Sequence, residues 1–224
     1  MWFTASARDA VRQAAVQYGD WGWRVAPAHY TRLPGRHRRG RRSGQRSEQP
    51  GSIDAAPPRC SCGHRGCTAP GRHPIGRDWR RDASTDRTTI ELWWWSAQPW
   101  NIALVTGELF DVWMVPAPVA RCALAVIETA GRPVGPVAHG ADGWQFFTEP
   151  ARPDAATPVP TRPGIGYAGP GDFVLAPPSQ ASYARLRWWR SPFGPGTPRL
   201  PPWEPTVDAL LVAAGTGEWL ARSE

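Results

Sequence analysis

Apolar positions along this chain recur in short runs whose spacing changes from helical to extended and back. From Ser6 to Tyr18 (SARDAVRQAAVQY), Ala10, Val11, Ala14, Ala15 and Tyr18 share one helical face, with Ser6 as the start and Gly19 near the end. In WGWRVAP the apolar residues fall on every second position, Trp21, Trp23 and Val25, so this reads as a strand that Pro27 stops. Ser84, Thr85 and Asp86 are cap candidates for a helix carrying Ile90, Leu92, Trp93 and Trp94, which ends before Pro99. NIALVTG and LFDVWMVP then read as two buried strands. APVARCALAVIETAG reads as a helix with Val119, Cys122, Ala123, Val126 and Ile127 inward and Gly131 at its end. GPVAH, WQFFT and DFVLAPP are short strand candidates, and TVDALLVAAG is a last apolar helix. The order predicts an α+β fold.

Between 31 and 58 the pattern breaks down. This stretch has seven arginines, much Gly, Ser and Pro, and almost no large apolar residue, so it reads as a flexible insertion. The organisation expected is therefore the start of a domain over 1–30, an Arg-rich insertion over 31–58, a cysteine-bearing loop and the remainder of the domain over 59–204, and a C-terminal helix over 205–224.

Composition adds three constraints. The 14 Trp supply large buried areas to a chain of 224 residues, while 26 Pro and 23 Gly predict many turns. A net charge of +7 invites a polyanion partner, DNA or RNA, although all 26 basic residues are Arg, a skew that GC-rich codon usage also produces. No apolar run approaches a membrane span and the N-terminus lacks a secretory pattern, so no membrane partner and a cytoplasmic location are expected.

Three of the four cysteines fall in RCSCGHRGCTAPGRHP, residues 59–74. A disulfide staple, a metal knuckle and unpaired loop thiols all compete for this stretch. A reducing compartment disfavours the first. Cys60, Cys62, Cys67 and His73 make a Cys3His set for a closed structural zinc site, with His64 as a spare.

Taken in order, GWRVAP, the cysteine stretch, DASTDRTTIELWWWSAQPWNIALVTG and DFVLAPPSQASYARLRW resemble the N-terminal domain of bifunctional DNA primase-polymerases, in the archaeo-eukaryotic primase superfamily. The resemblance runs from about Ala10 to Trp189. It implies a central, mostly antiparallel sheet flanked by helices, a small zinc-binding loop, and nucleotidyl transfer with Mg2+ or Mn2+ held by acidic residues. It also implies an acidic pair after Thr-Gly, a His on the next hairpin, and an Asp before the Ala-Pro-Pro-Ser turn. Those positions thread onto Met114 and Pro116, onto Gln145, and onto Gly166. Neither Met nor Pro offers the hard oxygen that Mg2+ requires.

Three functions follow from the resemblance. The first is a catalytically degenerate domain that keeps nucleic-acid or nucleotide binding in a replication-related role, through Arg77, Arg80, Arg81, Arg187 and Arg190 beside tryptophans. The second is an active enzyme with rearranged ligands Asp111, Asp142 and Asp172. The third is a protein-interaction module acting with a separate helicase or other replication protein, since the chain carries no P-loop.

Overall fold

The computed structural model describes residues 5–32, 59–96, 98–152, 162–181, 184–194 and 196–221. Most of the expected Arg-rich insertion, residues 33–58, lies outside them. Helix α1 (Ala5–Asp20) buries Val11, Ala14, Ala15 and Tyr18, the expected face without Ala10, which is exposed. Strand β1 (Val25–Ala28) contains Pro27 rather than ending before it. A proline is tolerated there because β1 is an edge strand that pairs only with β4 in its sheet.

Strands β2 (Thr31–Arg32) and β3 (Arg59–Cys60) pair with each other and lead into the cysteine stretch. A single helical turn, α2 (Trp79–Asp82), precedes α3 (Arg87–Trp95). Of the three cap candidates, Asp86 caps α3 by accepting from the Thr89 N–H at 2.7 Å, while Ser84 Oγ accepts from the Asp86 N–H at 2.9 Å.

Strand β4 (Asn101–Val105) is buried along its whole length, and β5 (Asp111–Val115) follows. Helix α4 (Ala117–Thr129) buries Ala120, Ala123, Leu124 and Ile127. The expected inward face is therefore rotated: Cys122 is half-buried and Val126 is 38% exposed. The buried stripe runs i, i+3, i+4, i+7 from Ala120 because this helix packs against a sheet and against another helix.

The remaining elements are β6 (Val137–Gly140), β7 (Gly143–Thr148), β8 (Gly166–Ala168), β9 (Phe173–Ala176), β10 (Gln180–Ala181), β11 (Ala184–Arg185), β12 (Arg187–Arg190) and α5 (Trp203–Ala221). Strands β8 and β12 carry no run long enough to show in the sequence pattern. Among the described residues no helix is long and apolar enough to cross a membrane.

All strand pairs are antiparallel and form two main sheets, β1-β4-β9 and β12-β6-β7-β5-β8. Alternation along each strand assigns its faces. Ile102, Leu104, Val174 and Ala176 of the first sheet meet Val112, Phe147, Ala138 and Ala168 of the second in one core, closed by α1 and α3. The opposite face of the five-stranded sheet, with Trp113, Val115, Trp144 and Phe146, packs on α4 and α5. Ala103, Val105 and Leu175 form a smaller third cluster on the outer side of the first sheet.

Asn101, 2% exposed, joins these parts. Its Nδ2 donates to the carbonyls of His29 (2.9 Å), Gly71 (3.0 Å) and Gln180 (2.8 Å), and its Oδ1 accepts from the Gln180 N–H at 2.8 Å. Ser179 Oγ accepts from the Ile102 N–H at 2.8 Å, which fixes the Ala-Pro-Pro-Ser turn against β4. Replacing Asn101 by Ala leaves several buried backbone groups unpaired. The expected result is a loss on the order of 2–3 kcal/mol, a Tm about 5–10 °C lower by calorimetry.

Candidate metal centre and cleft

The Cys60–His73 stretch folds as a loop on the β2–β3 ladder. Gly63 and Gly71 turn it with φ of +78° and +72°. A Cβ on Gly71 would run into Thr31, so only glycine lets the loop close against β2. The Sγ atoms of Cys60, Cys62 and Cys67 and a ring nitrogen of His73 lie within 4.8 Å of one another. A tetrahedral site with metal–sulfur bonds of about 2.3 Å needs ligand atoms about 3.8 Å apart, so the set fits a single ion. His73 Nε2 is 3.4 Å from Cys60 Sγ and 3.5 Å from Cys67 Sγ. Its Nδ1–H donates to the Pro74 carbonyl at 3.2 Å, leaving the Nε2 lone pair for a metal.

Charge balance also favours a cation. Burial opposes the Cys62 thiolate, but hydrogen bonds from the His64 backbone and from Cys60, His73 and Cys67 outweigh it and bring the thiol down to about 7. Burial, followed by the neighbouring Cys60 and Cys62, pushes Cys67 up to about 11. One negative sulfur is stabilised and a further one repelled, a conflict that a bound divalent ion removes. The Gly71 N–H donates to Cys60 Sγ at 3.3 Å. His64 is exposed and outside the ligand set. Among the described residues no other group of three or more His, Cys, Asp or Glu side chains is close enough to share an ion.

The second feature is a cleft of about 240 Å3 at the edge of the inter-sheet core, lined by Met114, Gln145, Phe173, Leu175 and Leu186. Strand register brings together residues far apart in sequence: Met114 lies directly opposite Gln145 on β7 and Gly166 on β8. Three positions singled out by the resemblance thus form one row across three strands. A Cβ on Gly166 would sit 3.2 Å from Met114 Cε, so a side chain there requires the methionine to give way by a few tenths of an ångström. Gln145 Oε1 is buried with no hydrogen-bond partner. Pro116 caps α4 at the end of the same strand.

The three candidate aspartates are not brought together. Asp111 faces away from the cleft, toward α4 and α5, and is fully buried. Its Oδ2 accepts from the Tyr167 O–H and the Ala151 N–H, both at 2.7 Å. Burial raises its pKa, and these hydrogen bonds, together with one from the Gly107 backbone, only partly offset that rise. Asp142 lines the cleft in the β6–β7 turn, but its carboxylate is paired with Arg72 at 2.9 Å. Asp172 is exposed in the turn before β9, where its backbone carbonyl accepts from the Thr106 N–H. His139 packs its ring against Trp144 and Trp189 on the side of the sheet away from the cleft.

The candidate arginines form two groups. Arg77 is exposed, Arg80 lies over the Trp79 ring at 5.2 Å, and Arg81 is paired with Asp78 and Asp82. On β12, Arg187 and Arg190 are exposed and Trp189 is 63% exposed between them, while Trp188 turns inward and donates to the Tyr18 hydroxyl at 3.2 Å. Sequence reasoning missed the Arg72–Asp142 bridge and the role of Asn101, because both depend on pairings between distant segments.

These features define a two-sheet α+β domain with an inter-sheet cleft and a separate Cys3His metal loop. The chain matches the family described as bifunctional DNA primase/polymerase, N-terminal, over residues 15–203, and it belongs to that family. Searches of the curated proteins and of the solved structures gave no match.

Two outcomes test the geometry. Cys60→Ala or His73→Ala is expected to drop bound metal from one equivalent per chain to well below that, measured by elemental analysis after purification. Asp111→Ala, which strands the Tyr167 hydroxyl and the Ala151 N–H, is expected to cost about 1–3 kcal/mol by denaturant unfolding. The Asp111 pKa is higher folded than unfolded, so its contribution is complete below the unfolded value near ~3.9 and is lost as pH rises through the folded one. Asp111→Asn cannot ionise, so the Tm difference between variant and wild type should shift in the variant's favour as pH rises from acid to neutral.

Proposed function

We propose that this domain binds nucleic acid in a replication-related role, has lost nucleotidyl transfer, and carries zinc as a structural ion in the Cys3His loop. The observation that carries this reading is the row formed by Met114, Gln145 and Gly166. Met114 and Gln145 line the cleft with a thioether and an amide where the family's chemistry needs carboxylates, and Gly166, beside Met114, offers no side chain. The mutual fit of Met114 and Gly166 supports replacement as a set. Asp142, the acidic residue among those lining the cleft, is neutralised by Arg72, so two divalent ions have no ligands there.

The binding role draws its support from β12. An exposed Trp189 between exposed Arg187 and Arg190 offers a ring for base stacking and two cations for phosphates.

The test is primer synthesis and extension on single-stranded DNA with Mg2+ or Mn2+, run beside fluorescence anisotropy with the same oligonucleotide. Salt-sensitive binding without product is expected, and product formation overturns the loss of catalysis. Trp189→Ala is expected to weaken binding by about tenfold, within the range for one stacked base.

A further inference from the structure

The hairpin carrying the metal loop holds a charge arrangement that folding alone does not explain. Arg32 on β2 and Arg59 on β3 are direct cross-strand partners. Like charges placed opposite one another destabilise a ladder, and this ladder has only two residue pairs. A third arginine, Arg65, comes from the turn between Cys62 and Cys67. All three are exposed, and together with His64 they line one groove of about 700 Å3. No acidic residue lines that groove, and none of the three arginines has an ion-pair partner among the described residues. Arg12, Arg24, Arg72, Arg81 and Arg87, by contrast, each pair with a carboxylate.

The loop that lines this groove also reaches the cleft. Arg72, next to the ligand His73, reaches across to Asp142 in the β6–β7 turn, so the base of the metal loop forms part of the cleft wall. On the reading of the domain as a nucleic-acid binder, we infer that Arg32, Arg59 and Arg65 form a second contact surface, which grips the phosphodiester backbone of a single strand running past the cleft. The metal ion rigidifies the loop that presents Arg65 and so sets the spacing of the three guanidinium groups. Phosphates between Arg32 and Arg59 turn the like-charge pair from a cost into a binding determinant.

The test compares wild type, Arg59→Gln/Arg65→Gln and the charge-matched control Arg121→Gln/Arg132→Gln, whose two arginines are exposed on α4 and just beyond it. Anisotropy with a labelled single-stranded oligonucleotide is read from about 50 to 200 mM salt. The groove variant is expected to keep one equivalent of metal and an unchanged or higher Tm, because the repulsion has been relieved. Its binding should be weaker by about tenfold, with a salt slope shallower by about 1.4, the value for two lost contacts on a single strand. The control should bind like wild type.

Equal binding by the groove variant and the control overturns the inference, as does a wild-type chain that binds no oligonucleotide. A nucleoside triphosphate that displaces the strand from wild type at low concentration also overturns it, by marking the groove as a site for a free nucleotide. Primer extension together with weakened binding by the groove variant would remove the proposed loss of catalysis and leave this surface standing.

Discussion

The side-chain amide of Asn101 is the point through which β4, the metal loop and the turn after β9 are held in one arrangement. A single carboxamide satisfies backbone groups of His29, Gly71 and Gln180 and so draws three segments to one point. Its acceptor oxygen and its donor nitrogen are both used, so neither Asp nor Leu can replace it. Asp would set a negative charge against three carbonyl oxygens, and Leu would leave all the partners unpaired in a dry site. The Gly71 carbonyl belongs to the residue whose N–H donates to Cys60 Sγ, so the same amide that positions the β4 end also steadies the metal ligands.

Strand alternation then decides what the central cleft can do. In β5 every second residue faces the cleft, so Val112 and Met114 look one way, and Asp111, Trp113 and Val115 the other. Asp111 is the acidic residue nearest in sequence to the expected metal-binding pair, yet the pleat points it at Tyr167 and away from the cleft. A shift of one residue would bring it to the cleft but would also place Trp113 and Val115 out of their core. Burial of those two side chains, each worth about 1.5–3 kcal/mol, holds the register.

Much of the architecture was legible because it rests on local patterns. Periodicity marked α1, the Asp86 cap marked α3, and a continuous apolar run marked β4. Pro27 misled the reading because a proline that ends a central strand is harmless on an edge. The inward face of α4 was misjudged because its burial is set by two neighbours, which no one-dimensional spacing reveals. Strands β8 and β12 were invisible for the opposite reason: Gly166–Ala168 has no apolar alternation of its own, and β12 presents three exposed side chains around one inward Trp188. The Cys3His ligands could be read directly, since four ligands within fourteen residues need little tertiary context. The opposed Arg32 and Arg59 could not, because only the pairing across the intervening segment makes them neighbours.

The two features of this domain obey different physical constraints. A metal loop with closed ligation stabilises its own geometry, independently of the chemistry of the cleft. The cleft behaves otherwise. Carboxylates gathered in one cleft repel one another without a bound ion, whereas Met114 beside Gly166 carries no such repulsion and adds apolar contact. An acid introduced at Gly166 alone would meet the Met114 side chain, and one introduced at Met114 alone would face the unpaired Gln145 oxygen. Under the proposed loss of nucleotidyl transfer, a metal site in this cleft would therefore need coordinated changes on β5, β7 and β8, whereas surface arginines can change one at a time.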